Sequence, residues 1–120
     1  MNKERILQLA DHIENLPDPS KFDMGSYGHR CGAPACFAGH TFELFAGGHR
    51  ETLGGGEIHA TAASLLDLTD VEADRLFTPS TVVIREFGQI DHITPYDISN
   101  KTGAKVLRHF AETGTIDFEV

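Results

Sequence analysis

Long apolar runs are missing from this chain. No stretch approaches the ~20 consecutive apolar residues that a membrane-spanning helix needs. Met1-Asn2-Lys3-Glu4-Arg5 leads into an amphipathic pattern instead of an apolar leader, so no signal peptide is expected. Cysteine is scarce, with two in 120 residues. In a chain without an export signal, those two are expected as reduced thiols and not as a structural disulfide, and the protein is expected in the cytoplasm. Cations are in the minority. Eighteen Asp and Glu against ten Lys and Arg leave a net charge of −8, which repels a phosphate backbone and argues against direct nucleic-acid binding. Tryptophan is absent. No internal repeat, low-complexity tract, paired-carboxylate site, serine-nucleophile motif or dinucleotide fingerprint is present.

What remains is an ordinary globular composition, 40% apolar and 23% charged. At 120 residues the chain is read as one domain, 1–120, long enough to bury roughly two thirds of its unfolded surface. Ile6, Leu9, Ala10 and Ile13 recur at helical spacing and predict a helix over 3–15, ended by Leu16-Pro17. Residues 17–33 read as loop. Pro34 suits the first position of a second helix over 34–46, closed by Gly47-Gly48. Gly54-Gly55-Gly56 reads as a hinge or loop tip, since it lacks the Gly-Lys-Ser/Thr of a phosphate loop. Ile58, Ala62, Leu65 and Leu66 predict a third helix over 57–67. Thr69-Asp70-Val71-Glu72 is a capping box opening a fourth over 70–77. Thr81-Val82-Val83-Ile84 is either a short strand or a buried loop. Thr94-Pro95-Tyr96-Asp97 predicts the start of a fifth helix over 95–113, with Val106, Leu107, Phe110 and Ala111 inward and Gly103 dividing it. Residues 115–120 read as extended. The expected fold is mainly α, a single helical domain of about five helices with one short strand or extended segment.

The chemistry concentrates in one place. Residues 29–40 hold both cysteines and two of the seven histidines, spaced His-x-Cys-x4-Cys-x3-His. Three readings compete there. Cys31, Cys36, His40 and His29 could hold zinc, with Cys36 and His40 four apart on one helix face. Four ligands from twelve residues make a cramped site; His49 or His12 could replace His29, and nothing in the sequence picks them. Alternatively Cys36, in the first turn of a helix beginning at Pro34, would be a dipole-activated thiolate with His40 as its base, although no third orienting group is visible. A redox pair of Cys31 and Cys36 is a variant of this reading. The third reading is packing: Ala35, Cys36, Ala38 and Gly39 give the second helix a thin side for close approach of a neighbour, and Phe42 and Phe45 add bulk further along. Packing is favoured, because small-residue helix contacts are far commoner than metal sites.

Two further elements invite a functional reading. Residues 60–77 carry the apolar rhythm of a helix-turn-helix, but its second helix offers Asp70, Glu72 and Asp74 against Arg75 alone. A recognition helix of that charge would be repelled by DNA, so an antiparallel pair packed on the core is expected. Lys101, Lys105 and Arg108 form the only basic stripe and read as a solvated face, with Glu112 one turn beyond Arg108 as its surface partner.

Phe22-Asp23-Met24-Gly25, Cys31-Gly32 through Cys36, Ala38-Gly39-His40, residues 63–77, Ile93-Thr94-Pro95, Val106-Leu107-Arg108 and Glu112-Thr113-Gly114-Thr115-Ile116-Asp117 together resemble a family of small uncharacterised proteins of bacteria and their phages. The resemblance covers most of the chain through short motifs. It implies no activity, only a phage or mobile-element setting. It also implies that Trp can stand at position 40, which favours packing, and that residues 96–105 are longer here than in the family pattern. The expectation is therefore a non-catalytic accessory protein that binds a macromolecular partner, most plausibly another protein. A zinc-stabilised domain and a Cys36 thiol enzyme are the alternatives. Whether copies of the chain associate with one another is left open.

Overall fold

The computed structural model describes residues 1–24, 35–47, 54–78, 81–84, 90–93 and 98–118. Five α-helices lie among them, α1 (Lys3–Glu14), α2 (Phe37–Ala46), α3 (Gly55–Leu65), α4 (Asp70–Phe77) and α5 (Asn100–Thr113). Two antiparallel strands stand between the last two in sequence. The mainly helical expectation holds.

α1 begins where Asn2 Oδ1 accepts the Arg5 amide, and ends at Asn15. Its inward stripe, Ile6, Leu9, Ala10 and Ile13, is fully buried, as the spacing predicts. The following segment is not all loop. Asp18 caps a 3₁₀ turn, Pro19–Lys21, through the Ser20 amide and hydroxyl, which hold its carboxyl below the usual range. Phe22 then forms a parallel bridge with Ala35.

α2 starts three residues later than expected. Cys36 is its N-cap, and Phe37 is the first helical residue; Pro34 lies outside the described residues. Gly47, at φ 89°, closes the helix in the left-handed region that its missing Cβ makes cheap. Residues 37–42 are buried without interruption, so α2 has no solvent face over its first turn and a half. That enclosed first half places α2 at the centre of the fold, and the helix packs against α1, α3 and α4.

α3 begins inside the glycine run expected to be a hinge. Gly54 is its N-cap and Gly55 its first residue, and a Cβ at Gly54 or Gly56 would meet nothing. Gly55 and Gly56 lie in the first turn, where burial of Ile58 offsets a helix penalty of about 1 kcal/mol per glycine. The Thr69 capping box forms in full, with Thr69 Oγ1 accepting the Glu72 amide at 3.2 Å and Glu72 Oε1 accepting the Thr69 amide at 3.0 Å. α4 then runs over 70–77, as the capping signal implies. β1 (Thr81–Ile84) pairs antiparallel with β2 (Ile90–Ile93), Thr81 opposite Ile93 and Ile84 opposite Ile90. The strand alternative for residues 81–84 is the one the fold adopts.

α5 starts at Asn100 and not at Pro95. Ser99 Oγ accepts the Thr102 amide at 3.1 Å, and residues 94–97 lie outside the described residues. Gly103 does not divide the helix. A Cβ there would come within 2.9 Å of Phe22 Cζ and 3.2 Å of Phe37 Cε1, so the glycine is a contact point for two rings. After Gly114, residues 115–117 are irregular and Phe118 lies in a turn, its ring centroid 6.3 Å from that of Phe37.

Helices near the two ends of the sequence pack on each other. Asn100, buried, donates from Nδ2 to the Ile13 and Glu14 carbonyls at 3.1 and 3.3 Å and so satisfies the end of α1. Arg108 donates to Asp11 Oδ1 at 2.8 Å and to Glu14. The expected Arg108–Glu112 pair gives way to these acids on α1, which present two carboxylates where Glu112 offers one. At the other end of α1, Arg5 Nη1 donates to the Leu65 carbonyl at 2.9 Å and lies over the Phe45 ring at 5.2 Å. Among the described residues, no helix is long and apolar enough to cross a membrane.

Candidate functional site

His29 and Cys31 lie outside the described residues, as does His49. Cys36 and His40 lie within them, four residues apart at the start of α2, but the environment gives them separate roles.

Cys36 is a free thiol, 2% exposed, at the N-cap of α2. Burial pushes its pKa above the ordinary thiol value, against the Gly39 and Ala38 amides that pull it down. A helix N-terminus activates a thiol only when the thiolate keeps some solvation, and here desolvation is the larger effect. His40 does not serve as its base, because both ring nitrogens are engaged elsewhere. Nε2 stands 2.9 Å from the Lys21 carbonyl oxygen, and Nδ1 stands 3.3 Å from His12 Nε2. A carbonyl only accepts, so His40 carries its proton on Nε2, and its Nδ1 lone pair takes the His12 Nε2–H. Ala35, Cys36 and Ala38 are likewise buried, which fits the packing reading of the thin helix side.

His12, which the sequence offers only as a possible replacement for His29, is the residue that faces His40. It lies in the last turn of α1, half-buried, while His40 is 3% exposed. The two ring centroids are 5.3 Å apart with planes at 61°, and Phe22 stands behind His40 at 6.3 Å. Its signal in the sequence is a polar residue three positions after Leu9, at the edge of the apolar stripe. That pattern marks a boundary position and carries no ligand spacing. Among the described residues, no group of three or more His, Cys, Asp or Glu gathers where one metal ion could bind all of them.

A second feature lies across α3 and α4. A groove of about 540 Å³ has Ala60, Ala63, Ala73 and Leu68 as its apolar lining and His59, Ser64, Asp70 and Asp74 as its polar one. Asp70 and Asp74 are four apart and so share a face. His59 Nε2 lies 3.4 Å from Asp74 Oδ1, and the His59 ring stands edge-on to Phe77 at 5.2 Å. Val71 stands out from the same helix, 60% exposed. The helix-pair reading of residues 60–77 fits this arrangement, with Ile58, Ala62, Leu66, Ala73, Leu76 and Phe77 all buried in the core.

No family model matches the chain, and no curated protein or solved structure matches it.

Proposed function

We propose that the protein is a non-catalytic binding protein whose partner is another protein, received through a basic segment on the α3–α4 face. The observation that carries this reading is the groove itself. Asp70 and Asp74 sit on adjacent turns, where like charges repel by a few tenths of a kcal/mol, beside an apolar floor of alanines and Leu68. A Lys or Arg side chain suits both parts, since its methylene stem covers apolar surface while its head meets carboxylates. The overall charge of −8 steers such a partner toward the protein from a distance. Val71, exposed on the same helix, offers an apolar contact outside the groove.

A setting in a phage or mobile element rests on the family resemblance alone. A cytoplasmic location is part of the same proposal, supported by the free thiol at Cys36.

The test uses a synthetic peptide of alternating Arg and Ala, titrated into the labelled protein and followed by amide chemical shifts. The expected shifts concentrate on residues 59–64 and 68–75. An exposed ion pair contributes about 0.2–1 kcal/mol, so replacing both carboxylates (Asp70→Asn with Asp74→Asn) weakens binding about two- to thirty-fold. Shifts spread over the whole acidic surface, or an unchanged affinity in the double variant, would remove this face from the proposal.

A further inference from the structure

The His12–His40 pair has dimensions that fit a shared metal ion as well as a bent hydrogen bond. Two imidazoles on one tetrahedral Zn²⁺, with Zn–N near 2.0–2.1 Å, place their nitrogens about 3.3 Å apart and their ring centroids about 5.2 Å apart. The observed values are 3.3 Å and 5.3 Å. A head-on N–H···N bond of the same length would hold the centroids farther apart, at about 5.6 Å. The two rings are thus bent toward a common point on one side of the nitrogen–nitrogen line.

The outer contacts of His40 are those of a ligand. A metal-bound histidine commonly donates its second ring N–H to a backbone carbonyl, which fixes the tautomer and aims the other nitrogen. His40 Nε2 does this to Lys21 at 2.9 Å. Lys21 is itself held by the 3₁₀ turn and by the Ala35 amide, which donates to the same oxygen at 2.9 Å. Phe22 and the core behind it keep the inner side of the His40 ring dry. The half-buried His12 leaves a path from solvent.

We propose that His12 Nε2 and His40 Nδ1 form a two-nitrogen chelating edge for a divalent transition metal of the zinc class, with water completing the coordination. Imidazole nitrogens suit Zn²⁺, Co²⁺, Ni²⁺ and Cu²⁺ and not Mg²⁺ or Ca²⁺. No net proton is lost when a neutral pair binds the ion. His12 moves its proton from Nε2 to Nδ1, and both facing lone pairs then point at the metal. The donor set is two nitrogens from two helices, with no sulfur from Cys36. The site would pin the last turn of α1 to the start of α2.

Co²⁺ reports both occupancy and donor type. The protein, purified without a metal-affinity tag, is titrated with Co²⁺ and then with Zn²⁺ as competitor, alongside His12→Gln and Cys36→Ser. The expected result is one equivalent bound, visible d–d bands, no thiolate-to-cobalt charge-transfer band, and displacement by Zn²⁺. His12→Gln, on a half-buried residue whose loss spares the Lys21 contact, weakens binding about tenfold or more, and Cys36→Ser leaves it unchanged. His40→Gln gives a second reading of the same loss, with circular dichroism checking that each variant is folded. No uptake by the parent, uptake unaffected by His12→Gln, or a thiolate band in the parent would each overturn the two-nitrogen site. The last outcome would point to the cysteines as ligands.

Discussion

Cys36 shows how one residue supports three sequence readings that a single physical quantity separates. Its neighbours in sequence, a proline before it and a histidine one turn after it, suit a nucleophile, a ligand or a packing contact equally. Burial to 2% exposure decides between the first and the last. The folded thiol holds its proton more tightly than the unfolded one. Its contribution to stability is therefore complete below the ordinary thiol pKa of about 8.5 and is lost as pH rises through the raised folded value. Unfolding releases a proton in that window, so the urea midpoint should fall between about pH 7.5 and about pH 9.5 by more in the parent than in Cys36→Ala. Iodoacetamide should spare the Cys36 peptide in the native protein and modify it in urea, as peptide mass spectrometry would show. Equal alkylation in both states would mean that the thiol is reachable, and the nucleophile reading would return. The pairing of His12 with His40 was illegible for a related reason. It joins residues 28 positions apart, and nothing in the spacing around either encodes that distance.

At the scale of elements, legibility follows how local the determining interaction is. The start of α4 was readable because the capping box closes within four residues, and the stripes of α1 and α5 were readable because periodicity is a property of one helix. The starts of α2, α3 and α5 were misplaced because capping signals compete. Thr94-Pro95 is a strong local start, yet α5 begins at Asn100 with Ser99 as its cap, where its buried face begins with Asn100, Gly103 and Ala104. Gly103 reads as a helix divider only until Phe22 and Phe37 are seen against it. Asn100 carries the clearest prediction at this scale. Its side chain donates to two carbonyls at the end of α1, and removing it takes that donor from the Glu14 carbonyl and leaves the Ile13 carbonyl only the Leu16 amide at 3.4 Å. Asn100→Ala should cost about 1–3 kcal/mol in urea denaturation. Asn100→Asp should cost more, because a carboxylate cannot donate to those carbonyls and is itself repelled by them. A stability unchanged in the alanine variant would mean that water reaches the end of α1 and that the α1–α5 contact is apolar only.

For the whole molecule the governing quantity is the charge of −8, and it acts in opposite directions on folding and on the proposed binding. Excess carboxylates repel one another in the folded state more than in the expanded one. Screening should therefore stabilise the fold as salt rises from low concentration, when the Debye length is about 30 Å at 0.01 M, to about 10 Å at 0.1 M. The surface pair of Arg108 with Asp11 and Glu14 loses strength over the same range. Exposed pairs, however, contribute only about 0.2–1 kcal/mol each, less than the relief of repulsion spread over eighteen acids. The melting temperature should thus rise with sodium chloride while affinity for the Arg-Ala peptide falls. Measured side by side, the two slopes separate an electrostatic partner site from a change in the protein itself. A peptide affinity that rises together with the melting temperature would mean that recognition is apolar, and Val71→Ser would then weaken it more than the loss of Asp70 and Asp74.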